Sequence, residues 1–132
     1  MSIETGLRTH LINNAAVSAL VGSRVYPMRL PQGFTLPAIS YQRISGPRQY
    51  DSIGATGRVH PRFQVDCWAE TYAGVRDLAN KVRLALNDHR GPLGGEPNVG
   101  SIELSADRDD FEEGTEFNRV ILEFIIPYFE ST

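Results

Sequence analysis

The chain has 132 residues, 41% of them hydrophobic and 22% charged, which fits one domain of ordinary soluble composition rather than a fibrous or disordered class. Its one cysteine, Cys67, excludes an intramolecular disulfide framework and a cysteine-based metal site. No apolar run reaches the ~18 residues of a membrane span, and no basic-apolar leader opens the sequence, so the expectation is a protein with no membrane partner and no secretory route.

The formal net charge of −3 hides a polarised distribution. Residues 24–62 carry Arg24, Arg29, Arg43, Arg48, Arg58 and Arg62 against Asp51 alone, a local net of +5. Residues 96–132 carry ten carboxylates against Arg108 and Arg119, a local net of −8. Lys81 is the only lysine among 13 basic residues. Arginine binds carboxylates through a planar fork and is enriched at interfaces, so opposite charges on one small domain predict a partner, a second copy included.

Leu7, Leu11, Ile12, Ala15, Ala16 and Ala19 recur at helical spacing and predict one helix over 3–21, weakened at Asn13 and Asn14 and stopped by Gly22. Pro27, Pro31, Gly33 and Pro37 make 22–37 an extended connection, with a short edge strand at Arg24–Tyr26. Residues 38–50 and 57–69 predict a strand pair. Ile39 and Tyr41 share one face of the first; Val59, Phe63, Val65 and Cys67 share one face of the second. The glycine-bearing loop between them predicts a hairpin that projects beyond the body. Residues 70–89 predict a helix capped by Thr71, with Tyr72, Val75, Leu78, Ala79, Val82 and Leu86 as its stripe. Two strands close the chain, one around Ile102–Ala106 and one over Phe117–Phe129. The last is apolar on both faces, so its second face is either covered or meets another subunit. The expected class is α+β, in the order helix-strand-strand-helix-strand-strand. Two helices pack on one face of an antiparallel sheet.

No catalytic constellation emerges. His10, His60 and His89 lack ligand spacing, and Cys67 shares a parity with Phe63 and Val65, which makes it a packing residue. The acidic run from Asp107 to Glu113 does not follow the order of a calcium loop. A solvated hairpin tip, a contact surface for arginines and a divalent cation site are its three readings. No phosphate cradle, nucleophile elbow or nucleic-acid motif is present, so neither an enzyme nor a cofactor is expected.

The ordered set Val21-Gly22-Ser23-Arg24-Val25-Tyr26-Pro27, Leu30-Pro31-Gln32-Gly33, Leu36 to Ser45, and Phe63 to Ala69 running into Thr71-Tyr72 and Leu78-Ala79 resembles the tail-terminator (tail completion) proteins of long-tailed phages, prophages and gene transfer agents. The resemblance implies a structural virion protein that caps the head-proximal end of the tail tube as a ring, usually of six subunits. It implies that the ring stops tube polymerisation and offers the head-tail joining surface. The partners so implied are further copies of the chain, the major tail tube protein and a head-tail connector or stopper, with DNA passing through without sequence-specific binding. The implied location is the head-proximal end of the virion tail, after assembly in the bacterial host cytoplasm. A head-tail stopper or minor tail component is the nearest alternative; a small ligand-binding domain or enzyme is the alternative of another class.

A ring needs head-to-tail contacts between unlike patches, which the split charge supplies. The expected subunit interface sets Arg43, Arg48, Arg58 and Arg62 against Asp107, Asp109, Asp110, Glu112 and Glu113 of the next copy. Trp68, Ile121 and Ile125 supply the apolar burial. The hairpin residues Tyr50, Asp51, Ser52 and Ile53 are the expected contact with the tail tube or connector.

Overall fold

The computed structural model describes residues 3–45, 48–51, 54–94, 98–112 and 117–129. The first apolar stripe is split: α1 (Ile3–Asn13) and α2 (Ala15–Val21) meet at Asn14. The Asn14 side-chain oxygen accepts a hydrogen bond from the Val17 N–H at 3.1 Å, capping α2 and restarting the helix on a new axis. The restart turns Val17 and Val21 into the core and leaves Ala15, Ala16 and Ala19 exposed, which corrects the expected single stripe. Gly22, at φ +59°, ends α2 with its N–H on the Ser18 carbonyl, as the sequence predicts.

The main sheet runs β1 (Val25–Pro27), β2 (Ala38–Ser45), β5 (Arg62–Ala69), β9 (Phe117–Ile125), β8 (Glu103–Glu112). Every pairing in it is antiparallel except β1 with β2. The second sheet is built from fragments: β3 (Arg48–Asp51), β4 (Gly54–Val59), β10 (Tyr128–Phe129), β7 (Asn98–Val99) and β6 (Gly91–Pro92). The expected continuous strands 38–50 and 57–69 are therefore each cut in two. A register shift between Arg43 and Ser45 precedes the first cut, and Pro61, which has no N–H to give a ladder, lies at the second. The hairpin β3–β4 is anchored at its root, where Arg58 and Val59 pair with β10. The closing strand likewise breaks at Ile126-Pro127, so its tail joins the second sheet.

α3 (Tyr72–Leu86) begins at Thr71, whose hydroxyl accepts the Gly74 N–H at 3.0 Å. Val75, Leu78, Ala79, Val82 and Leu86 are buried, whereas Tyr72 is 56% exposed; the stripe starts one turn later than its periodicity suggests. The three helices among the described residues lie on one face of the main sheet, against Ile39, Tyr41, Phe63, Val65, Cys67, Val120, Leu122 and Phe124. Cys67 is fully buried there, and burial pushes its thiol pKa up, so it stays protonated and packs as a small hydrophobe.

Two details tie the second sheet's loop to α1. Gly94 sits at φ +61°, and a Cβ there would collide with the Gly6 carbonyl and come within 2.8 Å of the Thr9 Cβ. The His10 and His89 rings meet at a tilt of 49° with centroids 4.3 Å apart. The Nε2 of His10 lies 2.8 Å from the Ala85 carbonyl, and that of His89 lies 2.9 Å from the Pro92 carbonyl. A carbonyl only accepts, so both Nε2 atoms carry the proton. Burial, together with the neighbouring His89, lowers the pKa of His10.

Gly94→Ala is expected to destabilise the fold by about 2 kcal/mol or more, through overpacking and a strained backbone, read as a lower urea midpoint. His10 binds its proton less readily when folded, so its contribution is full above the ordinary histidine pKa of about 6.5 and is lost as pH falls below it. His10→Gln, which keeps a donor toward Ala85, should flatten that loss between about pH 7 and pH 5, measured by denaturation series at each pH.

Candidate functional site

Because strand side chains alternate, the buried set on β5 and β9 dictates what stands on the sheet's other face. Opposite Val65 and Cys67 lie Gln64, Asp66 and Trp68; opposite Val120 and Leu122 lie Phe117, Arg119, Ile121 and Glu123. No helix among the described residues covers this face. Instead the connection after β1 leans over it, and Phe34 meets Phe117 edge to face at 5.5 Å. Between them opens a groove of about 310 Å³. Its floor is Ser40, Gln42, Asp66, Trp68 and Arg119; its walls include Met28, Leu30, Phe34 and Phe117.

The groove floor is a polar network centred on Asp66 and Arg119. Arg119 Nη2 donates to Asp66 at 2.7 Å, with the Asp66 side chain only 7% exposed and Arg119 24%. Gln64 also donates to Asp66. The guanidinium lies over the Trp68 ring at 4.8 Å, and Trp68 Nε1 donates to Ser40 at 3.1 Å. Arg119 Nε is buried without a hydrogen-bond partner. The Asp66 and Arg119 charges of the groove floor thus engage each other and hold the floor in shape.

Within the subunit, several residues expected at the interface already have partners. Arg43 reaches Glu4 and the Tyr128 hydroxyl, each at 3.4 Å. Arg62 donates to Ser105 at 3.0 Å and to Glu123 at 3.4 Å, because β5 and β9 are neighbours and bring the basic and acidic segments together within one subunit. Asp109 is held by the Tyr72 hydroxyl at 2.7 Å and Arg76 at 3.0 Å. Asp110 lies 3.8 Å from Arg119. Arg24, too, is engaged inside, on the Pro37 and Leu20 carbonyls. Asp107, Arg29 and Arg108 have exposed side chains with no partner among the described residues.

Ile121 does not offer the apolar surface expected of it: flanked in register by Asp66 and Arg108, it is 2% exposed within the subunit. Trp68 and Ile125 are half-buried and retain some surface. For Arg48, Arg58, Tyr50, Asp51 and Glu112 the structure describes the backbone, in β3, β4 and β8. Ser52, Ile53 and Glu113 lie outside the described residues. Sequence reasoning missed the groove and its ion pair. The signal available was the polar parity of β5, in particular an Asp beside a buried Cys.

Removing Arg119 would strand a buried carboxylate. Arg119→Met is expected to cost about 3–5 kcal/mol, and adding Asp66→Asn should recover a large part of that loss. A double-mutant cycle on unfolding free energies measures both.

The chain matches the family model described as tail completion protein gp17 over residues 5–128. No curated protein matches it. Among solved structures, a chain of the virion of a native gene transfer agent particle superposes with a TM-score of 0.79 at 19% identity, covering 96% of this chain and 93% of that one. At that identity the superposition establishes the fold, a helix-backed antiparallel sheet shared with a virion component. The match across nearly the whole sequence places the chain in the tail completion protein gp17 family.

Proposed function

We propose that this protein is a structural virion component that closes the head-proximal end of a phage-type tail tube as a ring, stopping tube growth and presenting the surface to which the head joins. The family match over residues 5–128 carries the proposal. The fold shared with a virion component supports it. Its partners are then further copies of itself, a tail tube protein and a head-side connector, with DNA passing through the ring.

The physical basis is a subunit with two unlike faces. β8 is an edge strand whose sequence carries Glu103, Asp107, Asp109, Asp110 and Glu112 against Arg108, with Asp107 and Asp109 on its helix side and Arg108 and Asp110 on its groove side. Such charge blunts non-specific strand addition and leaves an acidic surface for a chosen partner. The groove side also carries Arg29. A heterologous contact, acidic edge to groove side, generates a closed ring when its rotation closes. Exposed ion pairs give only about 0–1 kcal/mol each, so they set register while apolar burial supplies the affinity. In the same proposal, residues 50–53 of the hairpin touch the tube or connector.

Purified protein mixed with growing tail tubes should appear in negative-stain images at one tube end and halt elongation. Continued elongation would sink the terminator role, and binding to a head connector instead of the tube would favour a stopper. Deleting 51–55 should leave the thermal transition intact and abolish joining. Asp107→Lys, at a site with no partner among the described residues, should weaken self-association only about fivefold at low salt, and less at high salt.

A further inference from the structure

We infer that the groove on the open sheet face is the socket for Phe111 of a second copy. The proposal rests on the ring reading and names the residue that makes the ring's contact. Phe111 lies on β8, is 52% exposed and stands between Asp110 and Glu112 in sequence. Its register partner is Asn118, which shares a parity with the buried Val120 and Leu122. Phe111 therefore emerges on the helix side of the β8–β9 hairpin. The groove, reached through Phe117 and Arg119 of the same hairpin, opens on the opposite side. A subunit cannot put its own Phe111 into its own groove. The plug and the socket face in opposite directions on one subunit, as a head-to-tail contact demands.

The socket fits the plug in size and in charge. A cavity of about 150 Å³ suffices for a benzene ring, so the 310 Å³ groove holds one phenyl ring with room for the backbone that brings it. Phe34, Phe117 and Trp68 give the ring aromatic neighbours, the edge-to-face geometry already being used between Phe34 and Phe117. Lining residues carry two cations, Arg29 and Arg119, against one anion, Asp66. Asp66 is already engaged by Arg119 and Gln64. Arg29 is exposed with no partner among the described residues, and Arg119 Nη1 has only the 3.8 Å approach of Asp110. On the face that Phe111 shares, its neighbours along β8 are Asp109 and Asp107, and Asp107 is exposed with no partner among the described residues, so the plug brings negative charge toward the exposed Arg29 at the socket.

Trp68 is the only tryptophan in the chain and lines the groove, so its emission reports occupancy. A synthetic peptide of residues 105–113, titrated into the full-length protein, should shift Trp68 fluorescence saturably, and the same peptide with Phe111→Ala should not. In the whole protein, Phe111→Ala should weaken self-association by about tenfold or more with an unchanged thermal transition, since the side chain is exposed. Arg29→Glu should weaken it too, and more at low salt than at high. If wild type stays monomeric while the peptide binds, the ring reading fails in solution and the socket stands. If the wild-type ring forms, Phe111→Ala assembles equally well and the peptide leaves Trp68 silent, the socket is wrong and the ring reading survives. A silent Trp68 with monomeric wild type overturns both.

Discussion

A five-stranded sheet needs two covers, and this chain supplies helices for one. α1, α2 and α3 seal the face that carries Phe63, Val65, Cys67, Val120, Leu122 and Phe124. Strand alternation then commits the intervening residues to the other face. Burying Cys67 sends Asp66 and Trp68 outward; burying Val120 sends Arg119 outward beside them. A carboxylate 7% exposed needs a cation, and the neighbouring strand provides one in register. From that pair follow the stacking of Arg119 on Trp68, the Trp68–Ser40 bond and a floor rigid enough to keep a groove open under Phe34. The net stability of a buried pair is small against a well-packed apolar substitute. Its value to this fold is a held polar surface on a face that no helix among the described residues covers.

The charge split of the sequence acquires a different meaning on this scaffold. Arginine and carboxylate segments that sit far apart along the chain become cross-strand neighbours, so Arg62 meets Glu123 and Arg119 meets Asp66 inside one subunit. Arg24 and Arg43 likewise serve the subunit's own backbone and Glu4. Among the described residues, Arg29, Arg108 and Asp107 keep exposed side chains without a partner. Exposed ion pairs contribute only about 0–1 kcal/mol each, so such charges cannot by themselves drive association.

Local signals were legible in the sequence. Thr71 caps α3, Gly22 stops α2, and the alternations Ile39/Tyr41 and Phe63/Val65/Cys67 mark the core face as read. Signals that depend on register were not. Asn14 reads as a weak spot in one helix, yet its side chain caps a second one, and periodicity across it loses its phase. The fragments of the second sheet are two to six residues long and carry too little pattern to separate from turns. His10 and His89 are far apart in sequence and touch because Gly94 lets the loop after β6 lie against α1. Asp66 and Arg119, 53 residues apart, become a pair only once β5 and β9 are aligned.

Asymmetry between the two sheet faces also bears on how copies can associate. A twofold contact joins one patch to the same patch of the partner, so it engages the groove side or the acidic β8 edge of each copy but not both. In the proposed contact the Phe111-bearing side of one subunit meets the groove side of the next, which buries an aromatic residue that is otherwise half in water. The same alternation that put a polar network on the groove face thus puts the proposed plug and socket on opposite sides of one subunit. Head-to-tail propagation is the arrangement in which every copy uses both of its faces.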